Sequence, residues 1–308
     1  MRLGDYRTSD NVRDQGSGGG GFGFGGGGGG GCLTMLIPFV LSRFGIGGVL
    51  ILLLGYCALT QFGGGLGGVG GPTAVAPHQA GSGATSDAAQ ACSSAPEKRF
   101  SCQVLANTED TWARIYEAQG QRYQPAGFQF YGGSGRSGCG VAQSAMGPFY
   151  CPTDNQIYLD TSFYGELQNR FGAAGDFAQA YVIAHEVGHH IQFLTGTLND
   201  AHARQQRLSR SEGNALQVRI ELQADCYAGV WAANAHARDG KALLEPGDME
   251  EGLRAARAIG DDTLQRQTQG RVVPEAFTHG SSEQRTAWLK RGMEAGDPAA
   301  CDTFNASI

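Results

Sequence analysis

The chain has 308 residues with 23 basic and 29 acidic side chains, which gives a formal net charge of −6. Residues 1–100 carry 6 basic and 5 acidic side chains, so residues 101–308 carry the remaining 17 and 24. A mildly acidic globular part argues against a nucleic-acid-binding surface, and we expect no nucleic-acid partner.

The N-terminal third is rich in glycine. Residues 1–15 are polar and charged, and residues 16–31 are almost wholly glycine. Such a stretch cannot bury enough apolar surface to offset the entropy lost on ordering. We therefore predict that residues 1–43 form a disordered, cytoplasmic tail.

An uncharged apolar run follows at residues 44–62, with its most apolar part at Val49–Leu54. Its length nearly spans a bilayer as a helix. Arg43 lies at one end, and the first charge beyond the other end is Asp87, so the N-terminus should be cytoplasmic and the remainder outside. A cleaved signal peptide is the alternative, but no small-x-small cleavage site follows closely. We predict a single-pass signal anchor in the inner (cytoplasmic) membrane.

Residues 63–99 are rich in Gly, Ala, Ser and Pro without periodicity, which is typical of a flexible linker. The folded domain is therefore predicted to span residues 100–308, enough for one buried core. Thr108 and Glu109 are predicted to begin its first helix, because acidic residues are favourable at a helix N-terminus.

The domain should combine a small sheet with many helices. Residues 128–131 and 156–160 have the β-branched and aromatic composition of strands. The second strand could be an edge along which a peptide backbone pairs, or a plain core strand. After Asp176 the chain should be mostly helical, so we predict an α+β fold. Helix starts are indicated at Asp176, Ser209, Asp248 and Ser281, and helix ends at Gly196, Gly240, Gly260 and Gly296.

Six of the eight cysteines lie beyond the apolar run. An even number of cysteines outside a membrane favours disulfide bonds, although buried free thiols are the alternative. Proximity in the chain favours Cys92–Cys102 and Cys139–Cys151, which leaves Cys226–Cys301.

Residues 185–189 read His-Glu-Val-Gly-His within an apolar, helical segment. Four residues are just over one helical turn, so His185 and His189 should share a face and can bind one ion. Neutral imidazole is a good zinc ligand, and Glu186 stands where a general base would face the attacking water. His190 should point away from the metal.

A catalytic zinc normally has three protein ligands. A third histidine six residues beyond His189 is excluded because residue 195 is threonine. Glu221 is the candidate instead, on a later apolar helix where an unpaired carboxylate would be costly. Asp225, four residues on, should accept a hydrogen bond from a ligand histidine. An ordinary salt bridge of Glu221 with Arg219 or Arg254 is the alternative.

These motifs resemble the family of bacterial putative neutral zinc metallopeptidases. The resemblance rests on His-Glu-Val-Gly-His-His at 185–190, Glu-Leu-Gln-Ala-Asp at 221–225, Gly-Pro-Phe-Tyr-Cys-Pro at 147–152 and Phe-Thr-His-Gly at 277–280. It extends over nearly the whole chain, to about Cys301. It implies a zincin-like fold and peptidase chemistry, and it does not identify the substrate.

We therefore predict one Zn²⁺ ion bound by His185, His189 and Glu221, and hydrolysis of peptide bonds by a zinc-activated water with Glu186 as general base. His279 is the candidate donor to the oxyanion, although a surface or core histidine is the alternative. Tyr181 and Tyr227 are weaker candidates.

The expected protein is a membrane-anchored endopeptidase acting on peptides or proteins of the cell envelope. A non-enzymatic envelope protein-binding module with a structural zinc site is the alternative function.

Overall fold

The computed structural model describes residues 1–17 and 84–308. In this part of the chain, a sheet and a larger set of helices share one hydrophobic core. The strands are β1 (Val12–Ser17), β2 (Gly127–Gly132), β3 (Ser134–Ser137), β4 (Gly140–Gln143), β5 (Phe149–Cys151) and β6 (Gln156–Leu159). The helices are α1 (Ala84–Ser93), α2 (Pro96–Ala118), α3 (Ser162–Asn169), α4 (Asp176–Leu194), α5 (Thr197–Gln205), α6 (Arg210–Asn234), α7 (Asp248–Ala258), α8 (Asp261–Gln269) and α9 (Ser282–Ala295). The predicted α+β class is confirmed.

The sheet has the order β4-β3-β2-β6-β5, and β1 pairs in parallel with β2. The predicted strands at residues 128–131 and 156–160 correspond to β2 and β6. Of the two alternatives for the second strand, an edge or a core strand, the structure shows the core strand, because β6 pairs in parallel with β2 and antiparallel with β5. Among the described strands, β5 has β6 as its one partner and forms an edge of the sheet.

Residues 1–17 belong to the folded domain, so the prediction of a disordered tail is wrong for this stretch. Val12 of β1 pairs with Phe128 of β2 and is 1% exposed. The buried carboxylate of Glu109 on α2 accepts hydrogen bonds from Ser9 Oγ at 2.6 Å and Asn11 Nδ2 at 2.8 Å. The segment has few apolar side chains of its own, but the core formed by later residues covers them.

Three further boundaries differ from the predictions. Most of residues 84–99 are helical rather than linker, because α1 spans Ala84–Ser93 and α2 begins at Pro96. Thr108 lies in the middle of α2, because Pro96 occupies the first position of that helix, where a missing N–H costs nothing. Gly240 does not end α6, which stops at Asn234.

The predicted helix starts are close to the observed ones. Ser209 and Ser281 each cap a helix in a capping box. Asp176 and Asp248 occupy the first helical positions of α4 and α7, each after a glycine. Gly296 ends α9 in the left-handed conformation at φ 62°.

The three expected disulfides are confirmed. Cys92–Cys102 joins α1 to α2, Cys139–Cys151 joins the β3–β4 turn to β5, and Cys226–Cys301 joins α6 to the C-terminal segment. The second and third links fasten neighbouring segments to β5, which lines the cleft, and to α6, which carries Glu221.

The predicted membrane span at residues 44–62 lies outside the described residues, as do residues 18–43 and 63–83. No helix within residues 1–17 and 84–308 is long and apolar enough to cross a membrane.

The β1–β2 pairing nevertheless bears on the predicted topology. Residues 12–17 and 127–132 are joined in one sheet, so they lie on the same side of any membrane. The predicted topology puts the N-terminus in the cytoplasm and the domain outside it. This arrangement would place β1 and β2 on opposite sides of the membrane, so the pairing contradicts it.

Close contact between α4 and α6 positions the site. Gly188 of α4 faces Ala224 of α6 so closely that a Cβ on Gly188 would lie 2.8 Å from the Ala224 carbonyl oxygen. Only glycine permits this approach without a shift of one helix. The close packing brings the middle turns of the two helices together.

Candidate metal centre

The two motif histidines and the predicted glutamate converge. His185 and His189 lie on one face of α4, and Glu221 reaches them from α6. Glu221 Oε2 lies 3.3 Å from His185 Nε2 and 3.6 Å from His189 Nε2. One ligand atom from each of the three residues lies within 4.8 Å of the others.

These distances suit a zinc ion. Ligand atoms about 2.0–2.1 Å from a tetrahedral zinc are about 3.3–3.4 Å apart, which is close to the two observed separations. The alternative salt bridge is not formed, because Arg219 donates to the carbonyl oxygens of Thr303 and Ala306 instead. Two imidazoles and one carboxylate are also a donor set that zinc prefers.

Both ligand imidazoles are oriented by a hydrogen bond at Nδ1. Asp225 Oδ1 lies 2.8 Å from His185 Nδ1, as predicted, and Gln192 Oε1 lies 2.8 Å from His189 Nδ1. The Gln192 amide is fixed by its Nε2, which donates to the Ile220 carbonyl at 2.7 Å. Because both partners at Nδ1 are acceptors, each imidazole carries its proton there, and the Nε2 lone pairs are left for a metal.

Asp225 is itself held by a buried network. Arg285 on α9 donates to both Asp225 carboxylate oxygens at 2.9 Å, and Tyr181 Oη donates to Oδ1 at 2.6 Å. Arg285 is 3% exposed and Asp225 is fully buried. A buried charge pair of this kind is costly to break because the remaining partner is left uncompensated.

The charges of this network shift several pKa values. Burial raises the pKa of Asp225, but the charges of Arg285 and His185 outweigh it and lower the value to about 2. Burial lowers the pKa of His185, but Asp225 and Glu221 raise it to about 10. In Glu221, burial is outweighed by His189 and His185, which hold the pKa well below its usual value. The metal-free site therefore holds protons on imidazole, and zinc binding must release them.

A cleft of about 550 Å³ opens over this face of α4. Glu186 lines it beside the two ligand histidines and is 7% exposed. The edge strand β5 and the turn before it line one wall of the cleft. The base candidate and the metal ligands thus face one space that can admit a substrate.

His279 lines the same cleft and is fixed by Asp261, the first residue of α8. Asp261 Oδ2 accepts hydrogen bonds from the backbone N–H groups of Thr278, His279 and Gly280 at 2.6, 2.6 and 3.1 Å, and Oδ1 lies 3.3 Å from His279 Nδ1. Burial lowers the pKa of His279, but Asp261 and Glu221 outweigh it and raise the value. The side chain is 52% exposed and free to meet a substrate at Nε2.

The two tyrosine candidates lie in different places. Tyr181 lines the cleft, but its hydroxyl is occupied by Asp225 and Arg285. Tyr227 packs against Trp112 in the core, with ring centroids 5.7 Å apart, and does not line the cleft.

His190 points away from the metal site, as the helical rotation predicts. Its Nε2 lies 2.7 Å from the Gln124 carbonyl oxygen, and its Nδ1 lies 3.0 Å from Tyr150 Oη. Burial lowers the pKa of His190. His190 donates from Nε2 to the Gln124 carbonyl oxygen and is hydrogen-bonded to Tyr150 through Nδ1, and so links α4 to the edge strand β5.

Three supporting residues were missed by reasoning from the sequence. Gln192 lies three residues after His189, a spacing that places it on the same helical face and could have indicated its role. Arg285 precedes buried Trp288 and Leu289 on α9, which is a weak sign of a buried charge. Asp261 carries no local sequence signal, because its partner loop lies 17 or more residues further along the chain.

A His-Glu-x-x-His helix with a glutamate from a second helix, opening into a cleft, defines a metallopeptidase-type zinc centre. The model of the family described as "Putative neutral zinc metallopeptidase" matches residues 1–304. The chain belongs to this family.

Two similar proteins are both named as uncharacterized. "Uncharacterized protein YpfJ" of Escherichia coli (strain K12) is 54% identical over 210 residues, which cover 68% of this chain and 72% of that protein. "Uncharacterized protein Rv2575" of Mycobacterium tuberculosis (strain ATCC 25618 / H37Rv) is 43% identical over 230 residues, which cover 72% and 76%. No solved structure matches the chain significantly.

Proposed function

We propose that the protein is a zinc-dependent endopeptidase. The observation that carries the proposal is the convergence of His185 Nε2, His189 Nε2 and Glu221 Oε2 next to Glu186 in an open cleft. A structural zinc site normally has four protein ligands and is closed. Three ligands facing a cleft leave room for water and substrate.

The protein groups have distinct roles in this proposal. Zinc bound to this ligand set supplies Lewis-acid chemistry, since it makes water acidic enough to react at neutral pH and polarises a carbonyl. Glu186 takes the proton of the attacking water and passes it to the leaving amine. His279 donates from Nε2 to the oxygen that becomes negative, and Asp261 positions that imidazole.

The substrate backbone has an available edge to pair with. β5 borders the cleft and forms one unpaired edge of the sheet among the described strands. An extended peptide could add to β5 by main-chain hydrogen bonds, which recognise any sequence. The link from His190 to Tyr150 would hold this edge at a fixed distance from α4.

We also propose that the folded unit acts outside the cytoplasm, on peptides or proteins of the bacterial envelope. The three disulfides support this location, because such bonds persist in oxidising compartments. Attachment to the membrane through residues 44–62 remains part of the proposal, but not as a single crossing. Because β1 pairs with β2, residues 1–17 would lie outside the cytoplasm together with the rest of the folded unit.

Cleavage of a diverse peptide library by the purified full chain tests the function. The wild type should cleave, a chelator should abolish cleavage and zinc should restore it. Glu186→Gln should lower kcat/KM by about 10²- to 10⁴-fold. Glu250→Gln, on the exposed surface of α7, is the matched control and should keep full activity. A zinc-loaded wild type that cleaves nothing would instead favour a binding module with a structural zinc site.

A further inference from the structure

The carboxylate of Glu221 is held at both of its oxygens. Oε2 faces the two ligand imidazoles, at 3.3 Å from His185 Nε2 and 3.6 Å from His189 Nε2. Oε1 accepts a hydrogen bond from Gln217 Nε2 at 2.9 Å. Gln217 lies four residues before Glu221 on α6, a spacing that places both side chains on one helical face. The two oxygens of this metal ligand therefore have different surroundings.

The amide of Gln217 is itself oriented by Gln205, the last residue of α5. Gln205 Nε2 donates to Gln217 Oε1 at 2.9 Å and to the Gly213 carbonyl oxygen at 3.2 Å. A backbone carbonyl accepts hydrogen bonds and cannot donate them, so Gly213 fixes the amide of Gln205, which in turn fixes Oε1 of Gln217. The Gln217 Nε2 is left to donate to Glu221, whose ionised carboxylate only accepts. This relay therefore has one possible direction.

The hydrogen bond at Oε1 bears on how Glu221 can bind a metal. A carboxylate can bind an ion through one oxygen or through both. Binding through both oxygens takes up a coordination position that a catalytic zinc keeps open for water. Gln217 occupies Oε1 and leaves Oε2 turned toward the histidines. Because Gln217 is uncharged, it does so without neutralising the carboxylate charge that attracts the metal.

We propose that Gln217, oriented by Gln205, is a positioning residue that restricts Glu221 to one metal-binding oxygen. It acts on the ion through Glu221. The inference rests on the zinc centre of the proposed function, but it does not depend on peptide cleavage. It also gives α5, which lies outside the ligand set, a part in setting the coordination of the metal.

Cobalt(II) substituted for zinc in the full chain tests the coordination directly. Four-coordinate cobalt absorbs visible light more strongly than cobalt with five or six ligands, so the spectrum reports the geometry. We expect a strong four-coordinate spectrum from the wild type and a weaker one from Gln217→Leu, because Glu221 can then offer both oxygens. Competition titration should show zinc binding about 10- to 100-fold weaker in Gln217→Leu. A spectrum and affinity that Gln217→Leu leaves unchanged would overturn the inference.

Gln205→Leu tests the relay one residue further from the ion. It should weaken the spectrum in the same direction and by less, because Gln217 loses only the bond that orients its amide. Gln206→Leu is the matched control and should match the wild type, since Gln206 is exposed and does not line the cleft. Urea unfolding of the metal-free chains checks folding, and Gln205→Leu carries the test if Gln217→Leu does not fold. Equal changes in Gln205→Leu and Gln206→Leu would contradict the relay.

Cleavage of the peptide library separates this inference from the proposed function. A weakened cobalt spectrum in Gln217→Leu, with a zinc-loaded wild type that cleaves nothing, supports the positioning role and contradicts the peptidase function. Cleavage by the wild type, with a cobalt spectrum that Gln217→Leu leaves unchanged, overturns the positioning role and leaves the peptidase function standing. A wild type that binds neither metal overturns both.

Discussion

Two histidines on one helical turn bind one ion only when each imidazole presents an unprotonated ring nitrogen to it. Asp225 and Gln192 impose this by occupying Nδ1 of His185 and His189. Asp225 is charged and Gln192 is neutral. His185 should therefore be the more basic of the two imidazoles and the stronger electron-pair donor to the metal. Such supporting contacts typically change metal affinity by about 10- to 100-fold when removed.

The buried charge of Asp225 makes stability depend on pH. Its pKa is about 2 in the folded protein, against an ordinary value of 3.8. The carboxylate therefore contributes about 2 kcal/mol to the free energy of unfolding above pH 4, and this contribution is lost as the pH falls through 4 toward 2. Urea unfolding of the metal-free wild type between pH 7 and pH 2 measures it.

Asp225→Asn is the matched comparison. It should lower the free energy of unfolding at pH 7 by about 3–5 kcal/mol, because Arg285 is left buried and unpaired. Its stability should also fall less steeply below pH 4 than that of the wild type. Parallel pH curves for the two proteins would contradict the assigned role of Asp225.

At the scale of elements, the site depends on how closely α4 approaches α6. Gly188→Ala places a Cβ 2.8 Å from the Ala224 carbonyl oxygen, so the helices must separate. We expect a loss of about 1–3 kcal/mol in the free energy of unfolding and weaker zinc binding, because Glu221 moves with α6.

Gly213→Ala is the control on α6, since a Cβ there meets nothing within 4 Å. It should stabilise the protein by about 0.5–1 kcal/mol, as alanine normally does in a helix. Chemical denaturation and zinc competition titration measure both variants. A Gly188→Ala protein with unchanged stability and zinc affinity would show that the close approach is unimportant.

The ease of predicting each element follows from the range of its interactions. Residues 185–189 and 221–225 could be predicted because helical spacing fixes which side chains share a face. Ser209 and Ser281 could be predicted because capping is decided within four residues. β1 could not, because its partner β2 lies more than 100 residues away and its own composition is polar.

The range of the interactions also explains which predictions were wrong, missing or undecided. Glu109 was interpreted as a helix start, although its carboxylate is the anchor for Ser9 and Asn11. Arg285 and Asp261 act through contacts between elements that are distant in the chain. β6 had the composition of an edge or a core strand, and only the complete sheet order decides between them.

At the scale of the whole molecule, the N-terminal segment and the zinc site share one folded unit. This predicts that residues 1–17 lie in the same compartment as the domain. Asp10→Cys and Ser211→Cys introduce thiols at two exposed positions, one in each part. In spheroplasts, a membrane-impermeant maleimide should label both without lysis. Labelling of Asp10→Cys only after lysis, with Ser211→Cys labelled without lysis, would contradict the β1–β2 pairing.

The zinc content of the purified protein tests the central claim most directly. Mass spectrometry of the metal should find one zinc per wild-type chain and one per Glu186→Gln chain, since Glu186 does not bind the ion. His185→Ala and Glu221→Ala should each retain far less than one zinc while remaining folded by circular dichroism. A wild-type chain without zinc, or a zinc content that His185→Ala and Glu221→Ala leave unchanged, would contradict the account.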